Sequence, residues 1–216
     1  MARPEIHCLP NGAFAENCYI VADRQAREAV LVDPGEEAEL FLNRLDDEAL
    51  RLTAIWLTHG HIDHIMGVRS VVERYPVPVF LHPLDRTLYD RLPQQVEQWY
   101  GVAWPAAPSP DRTLAHGDVV HVGQFAFAVR HVPGHSPGSV AFVGDGAVIG
   151  GDALFQGSIG RADLPGGDFE TLIASINEQL LTLPDETVVH SGHGPATTIG
   201  NERATNPFLT GALRFG

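Results

Sequence analysis

The stretch "LTHGHIDHIMG", residues 57 to 67, puts His59, His61, Asp63 and His64 within six positions. Imidazole and carboxylate without thiolate suit zinc, iron, manganese or nickel. His59 and His61 stand two apart, so an extended segment turns both to one side. Asp63 and His64 open the following helix, where backbone N–H groups are unpaired. Capping histidines in a polar loop would account for one such residue. Four together are costly to bury unless a cation compensates.

One turn cannot supply two metal sites, and three other strand ends offer further donors. His135 lies in "VPGHSPGS" after a β-rich run, with glycines at 134 and 138 that permit close backbone approach. Asp152 in "VIGGDALF" and His193 in "VVHSGHGP" each follow an apolar strand. A lone Asp or His at a strand end is ordinary turn chemistry. Three of them, added to the first cluster, make a metal centre the better reading.

The elements that must carry these residues alternate between strand and helix signals. "NCYIVAD" and "EAVLVDPG" read as short strands, the second closed by Pro34-Gly35. Ala38, Phe41, Leu42 and Leu45 form a helical stripe, and Val68, Val71, Val72 and Tyr75 form another after the buried strand "TAIWLTH". "VPVFLH" is a further strand. Residues 83 to 112 are Pro-rich and read as short helices and loops. "DVVHV", "FAFAVRHV", "SVAFVG" and "AVIGGD" are four strands in a row, and "ETVVHSGHG" closes the strand set. Between them Asp168 caps a helix whose stripe is Phe169, Leu172, Ile173, Ile176 and Leu180. Such strand runs with a few helices suit two packed sheets with helices outside.

Composition limits the function classes. The 216 residues, 44% hydrophobic, suffice for one domain spanning 1–216, and the net charge of −13 without a basic run argues against nucleic acid as a partner. No 18-residue apolar stretch or secretory h-region is visible, which points to a cytoplasmic protein with no membrane partner. Cys8 and Cys18 are the only thiols. They read as unpaired and mostly buried, with a single bridge between them left open.

The order H-x-H-x-D-H, G-H-x-x-G, G-G-D and G-H-G, spanning residues 17 to 195, resembles the metallo-β-lactamase superfamily. That resemblance implies a four-layer αββα sandwich with a dinuclear site. His59, His61 and His135 would hold one metal, Asp63, His64 and His193 the other, with Asp152 bridging. Asp63 and Asp152 are then the carboxylates of the reaction centre. "GDALFQGSIGRADLPGGDFETL" and "HGPATTIGNERATNPFL" are similar to the short glyoxalase II-type thioesterases. About twenty residues follow His193 where ordinary glyoxalase II has a helical domain for the glutathione tail.

The resemblance thus implies a hydrolase of a glutathione thioester such as S-D-lactoylglutathione, with two divalent ions, zinc first and iron or manganese next. Two dications about 3.5 Å apart share a hydroxide and polarise the carbonyl. The chain has no G-x-S-x-G elbow to suggest a serine nucleophile. Two alternatives use much the same donors. A persulfide dioxygenase would hold one iron on His59, His135 and Asp152, and a lactonase or β-lactamase would act on cyclic substrates. Oligomeric state is not legible.

Other residues carry two readings each. Asp33 in "LVDPG" is either a turn residue or an acceptor orienting the ligand loop. Arg161 in "SIGRAD" either binds a substrate carboxylate or forms a structural salt bridge, and the resemblance to the family's basic residue after the bridging Asp favours substrate binding. His7, His82, His116, His121, His131 and His190 read as non-ligands. Trp99, Tyr100 and Trp104 either wall the pocket or pack.

Overall fold

A computed structural model describes residues 3–213. The first six strands form one sheet in chain order: β1 (Glu5–Asn11), β2 (Glu16–Asp23), β3 (Glu28–Val32), β4 (Arg51–Trp56), β5 (Val79–Leu81) and β6 (Arg112–Thr113). β1 to β3 pair antiparallel, and β3 to β6 run parallel. The second sheet contains β7 (Val119–Val122), β8 (Phe125–His131), β9 (Val140–Gly144), β10 (Ala147–Gly151), β13 (Val188–Ser191) and β14 (Thr197–Thr198). Its order is β14-β13-β10-β9-β8-β7, and β10 and β13 are parallel. A two-stranded ribbon, β11 (Leu154–Phe155) and β12 (Ser158–Ile159), lies between β10 and β13 in sequence.

Three apolar layers make the sandwich. β2 is buried on both faces because its side chains alternate: Cys18, Ile20 and Ala22 point to one layer, Tyr19 and Val21 to another. The inter-sheet layer joins Tyr19, Val32 and Trp56 to Phe127, Val129 and Phe142, with Trp56 and Phe142 rings 5.2 Å apart. The outer layer of the first sheet is covered by α1 (Ala38–Asp47), α2 (Ile62–Ile65), α3 (Val68–Arg74), α4 (Arg86–Asp90) and α5 (Leu92–Tyr100). α6 (Phe169–Ser175), a π-helical turn at Ile176–Leu180, and α7 (Ile199–Thr205) cover the other sheet. This is the αββα layering that the sequence predicts.

The stripes behave as amphipathic faces should. Ala38, Phe41, Leu42 and Leu45 are all buried in α1, and the Asp168 carboxylate accepts from Thr171 N–H at 2.7 Å as the cap of α6. Three expectations change. β1, β6, β14, α7 and the ribbon carry too little alternation or length for local patterning to reveal them, and "ETVVHSGHG" does not end the strand set. The helix after the His/Asp cluster is interrupted: Gly67 N–H donates to Pro34 O at 3.0 Å, which separates α2 from α3. Cys8 is exposed rather than buried, and both thiols are free, because β1–β2 register sets Cys8 opposite Tyr19 and Cys18 opposite Leu9. No helix among the described residues is long and apolar enough to cross a membrane.

Candidate metal centre

The donors collect just past the C-terminal ends of β4, β8, β10 and β13, where the chain leaves the sheets and backbone groups are free to turn. β4 delivers His59 and His61 through the loop before α2, which itself carries Asp63 and His64. The β8–β9 loop delivers His135, β10 ends just before Asp152, and β13 ends just before His193. β2 fastens the two sheets here. Asn17 Nδ2 donates to Ser191 O and Gly194 O, and Tyr19 Oη donates to Ser191 O.

Seven expected donors are brought together as two triads and a shared carboxylate. His135 Nε2 lies 2.8 Å from His61 Nδ1 and 3.2 Å from His59 Nε2. Asp63, His64 and His193 form the second group, with His193 Nε2 3.2 Å from Asp63 Oδ2. Asp152 stands between. Its Oδ2 is 3.5 Å from both His135 Nε2 and His193 Nε2, and its Oδ1 is 3.4 Å from His64 Nε2.

Hydrogen bonds on the far side of the rings decide which nitrogens face inward. His135 Nδ1 donates to Arg161 O at 2.8 Å, His193 Nδ1 to Phe14 O at 3.1 Å, and His64 Nδ1 to Asp33 Oδ2 at 2.9 Å. The Thr58 hydroxyl donates to Asp33 Oδ2, so it accepts from His59 Nδ1 at 3.0 Å. Four imidazoles are thereby fixed with Nε2 aimed at the centre, the arrangement typical of metal-bound histidine. Asp33 is the orienting acceptor, at a left-handed φ of 53° that Asp tolerates.

The electrostatics demand positive charge. Burial, reinforced by neighbouring imidazoles, holds His59 well below its usual value and brings His61 down to about 3, so both present lone pairs at neutral pH. Burial also opposes a charge on His193 and His64. The Asp152 and Asp63 carboxylates outweigh it, raising His193 to about 10 and His64 well above its usual value. Those protons occupy the place a cation would take, and metal binding would release them. His64 Nε2 and Asp152 Oδ1 are buried without hydrogen-bond partners, which suits a cation between them. A Cβ at Gly192 would overlap Asp152 Oδ1, so only glycine leaves that carboxylate its position. The donor set fits two ions.

Two buried acids escape the sequence reading. Asp85, fully buried, accepts from Gly60 N–H at 2.9 Å, Gly138 N–H at 2.6 Å and Ser136 Oγ at 2.7 Å. It ties the His59–His61 loop to the His135 loop. Asp85→Ala should lower metal affinity by about ten- to a hundredfold. Competition with a chelating dye measures this, and Asp85→Asn, which keeps one accepting oxygen, should lose less. Glu16, with burial pushing its carboxyl well above the usual range, accepts from Asn11 Nδ2 at 2.6 Å and lies beside His64. Neither acid sits in a motif. The weak signal for Asp85 is its place after a strand in "VFLHPLD".

The non-ligand histidines stay out of both triads. His82 accepts from Leu84 N–H and stacks on His131 at 4.4 Å, and His190 packs edge-on against Tyr19 at 5.5 Å. Arg161 reaches the cleft, and its guanidinium donates to Asp163 at 2.7 and 2.8 Å. Tyr100 and Trp104 pack against the core. Trp99 walls the cleft and is 54% exposed.

Residues 11–193 match the family model described as metallo-beta-lactamase superfamily. The chain is 38% identical to a Haemophilus influenzae protein named hydroxyacylglutathione hydrolase GloC, covering 94% of this chain and 97% of that one. Its fold is similar to that of BLEG-1, described as a B3 metallo-beta-lactamase, at a TM-score of 0.89 and 42% identity over 95% of this chain and 100% of the other. It is similar as well to TTHA1623 in a di-iron-bound form, at 0.86 and 46% identity over 94% and 100%. Two sheets with helices outside, and a His/Asp cluster at the strand ends that spans the matched segment, are thus accounted for together: the chain belongs to the metallo-beta-lactamase superfamily.

Proposed function

We propose that this protein hydrolyses glutathione thioesters, S-D-lactoylglutathione among them, with two divalent metal ions. The observation that carries the reading is Asp152 facing both donor triads beside a cleft of about 560 Å³. The name of the Haemophilus influenzae relative supports the substrate class. In this reading His59, His61 and His135 hold one ion, Asp63, His64 and His193 hold the other, and Asp152 reaches both. Zinc suits these N and O donors, and iron or manganese would be accepted by the same set. Bound there, such ions supply hydroxide at neutral pH and polarise a carbonyl oxygen.

The chain's own residues do the positioning. His135 and His193 are tethered through Nδ1 to backbone carbonyls, so their rings keep their orientation while charge shifts at the reaction centre. Ile62, Leu88, Phe155 and Ile159 line the cleft and keep water from the acyl group. Apart from the metal donors, no carboxyl, imidazole, thiol, phenol or amine among the described residues lines the cleft. A leaving group must therefore depart without a side-chain acid. A thiolate does so readily; an amine does not.

Metal analysis of the purified protein beside hydrolysis of S-D-lactoylglutathione tests the reading. Close to two ions per chain with rapid thioester loss is expected. Dioxygen uptake with glutathione persulfide, or turnover of a β-lactam in preference to the thioester, would replace it.

A further inference from the structure

We propose that α5 is the wall that grips the peptide tail of the thiol carrier, with Arg91 binding a tail carboxylate; this rests on the glutathione-thioester reading. α5 buries Leu92 and Val96 in the core and turns another face to the cleft. Arg91, Gln95, Gln98 and Trp99 line the cleft at spacings of four, seven and eight, one side of a helix. At 1.5 Å per residue they cover about 12 Å. Three extended residues of peptide reach about 10 Å. The lengths match.

The chemistry along the stripe suits a short anionic peptide. Arg91 and Gln98 have no side-chain hydrogen bond or ion pair among the described residues, although both face the cleft. Gln95 Nε2 donates to Leu88 O at 2.8 Å, which leaves its carbonyl oxygen for an amide N–H. Trp99 closes the stripe with an apolar face, held edge-on by Phe14 at 6.2 Å. One guanidinium, two carboxamides and an aromatic wall are what a peptide with a terminal carboxylate needs.

Comparison of the two arginines decides which takes the carboxylate. Arg161 already donates twice to Asp163, so an incoming anion must compete with a side chain two residues away. Arg91 has no such competitor. In a chain of net charge −13, an unpaired guanidinium on the cleft wall is also the local offset to general repulsion of an anionic substrate. A charge-assisted bond to a carboxylate changes binding by about ten- to a hundredfold.

The test uses the metal-replete full chain, S-D-lactoylglutathione, the same thioester with both tail carboxylates amidated, and the non-hydrolysable S-methylglutathione. Arg91→Ala should raise KM for the natural thioester, and the calorimetric Kd for S-methylglutathione, by about ten- to a hundredfold, with kcat within about threefold. Amidation should cost the unmodified enzyme the same factor, and Arg91→Ala should add nothing to it, because both remove one contact. Gln98→Ala should weaken S-methylglutathione by a smaller factor, and Arg161→Ala by less than Arg91→Ala. Penalties of Arg91→Ala and amidation that multiply would overturn the proposal. So would an unchanged KM and Kd in Arg91→Ala, or an effect carried wholly by Arg161→Ala. If the unmodified chain hydrolyses no glutathione thioester, the hydrolase reading falls, while the calorimetry still decides the role of Arg91.

Discussion

Asp152→Ala should lower kcat/KM on a glutathione thioester by at least about a thousandfold and strip metal from the protein. The expectation follows from position. Among the described residues Asp152 is the one side chain with an oxygen close to His135, His193 and His64 at once, so its loss affects both triads rather than one. Carbonyl polarisation and hydroxide supply by bound ions are worth several kcal/mol, and each 1.36 kcal/mol is tenfold in rate. Asp152→Asn should fare little better. It keeps the shape but removes the negative charge that offsets the cations. The measurement is metal content by mass spectrometry beside steady-state kinetics. Full metal content with lost activity would make Asp152 a reacting group and not a ligand, and retained activity would remove it from the site.

Removal of the metals from the intact protein should abolish hydrolysis and lower the melting temperature. The centre buries His59, His64, His135, Asp33 and Glu16, and places Asp152 and Asp63 beside them. Cations that bind only the folded chain stabilise it by about 4 kcal/mol when free metal is a thousandfold above its dissociation constant. For a chain of this size that corresponds to a shift of roughly 8–16 °C. Thermal unfolding with and without a chelator reads the shift, and re-addition of zinc, iron or manganese should restore both properties to different degrees. An unchanged melting temperature and undiminished activity after verified metal loss would rule out a metal mechanism. Activity restored by one ion per chain would reduce the centre to a single catalytic metal.

All seven proposed metal donors are legible in the amino-acid sequence alone, as is the αββα layering. Short-range periodicity shows where a strand delivers a side chain, and the H-x-H-x-D-H spacing packs four donors into one turn. The burial of Ala38, Phe41, Leu42 and Leu45, and the cap at Asp168, follow from the same local rules. What the sequence leaves open are groups whose role depends on which polar atoms the folded chain sets beside them. Asp33 reads equally as a turn residue or an orienting acceptor, and the fold decides by setting it 2.9 Å from His64 Nδ1. Arg161 reads as a substrate group or a structural one, with the family resemblance favouring the first, and only the folded loop shows Asp163 lying on its guanidinium beside the cleft.

Glu16 and Arg91 have no local pattern to mark them, and Asp85 has only its place after a strand. Asp85 gains its role from Gly60, Ser136 and Gly138, which only tertiary folding brings to it. Arg91 lies in a Pro-rich segment without clear periodicity, and its place on the cleft wall follows from the burial of Leu92 and Val96 on the neighbouring face of α5. Periodicity reports which face of one element is apolar. It carries no information on which polar groups of other elements that burial brings together, and hydrogen bonds and ion pairs act only over the few ångströms that packing then sets.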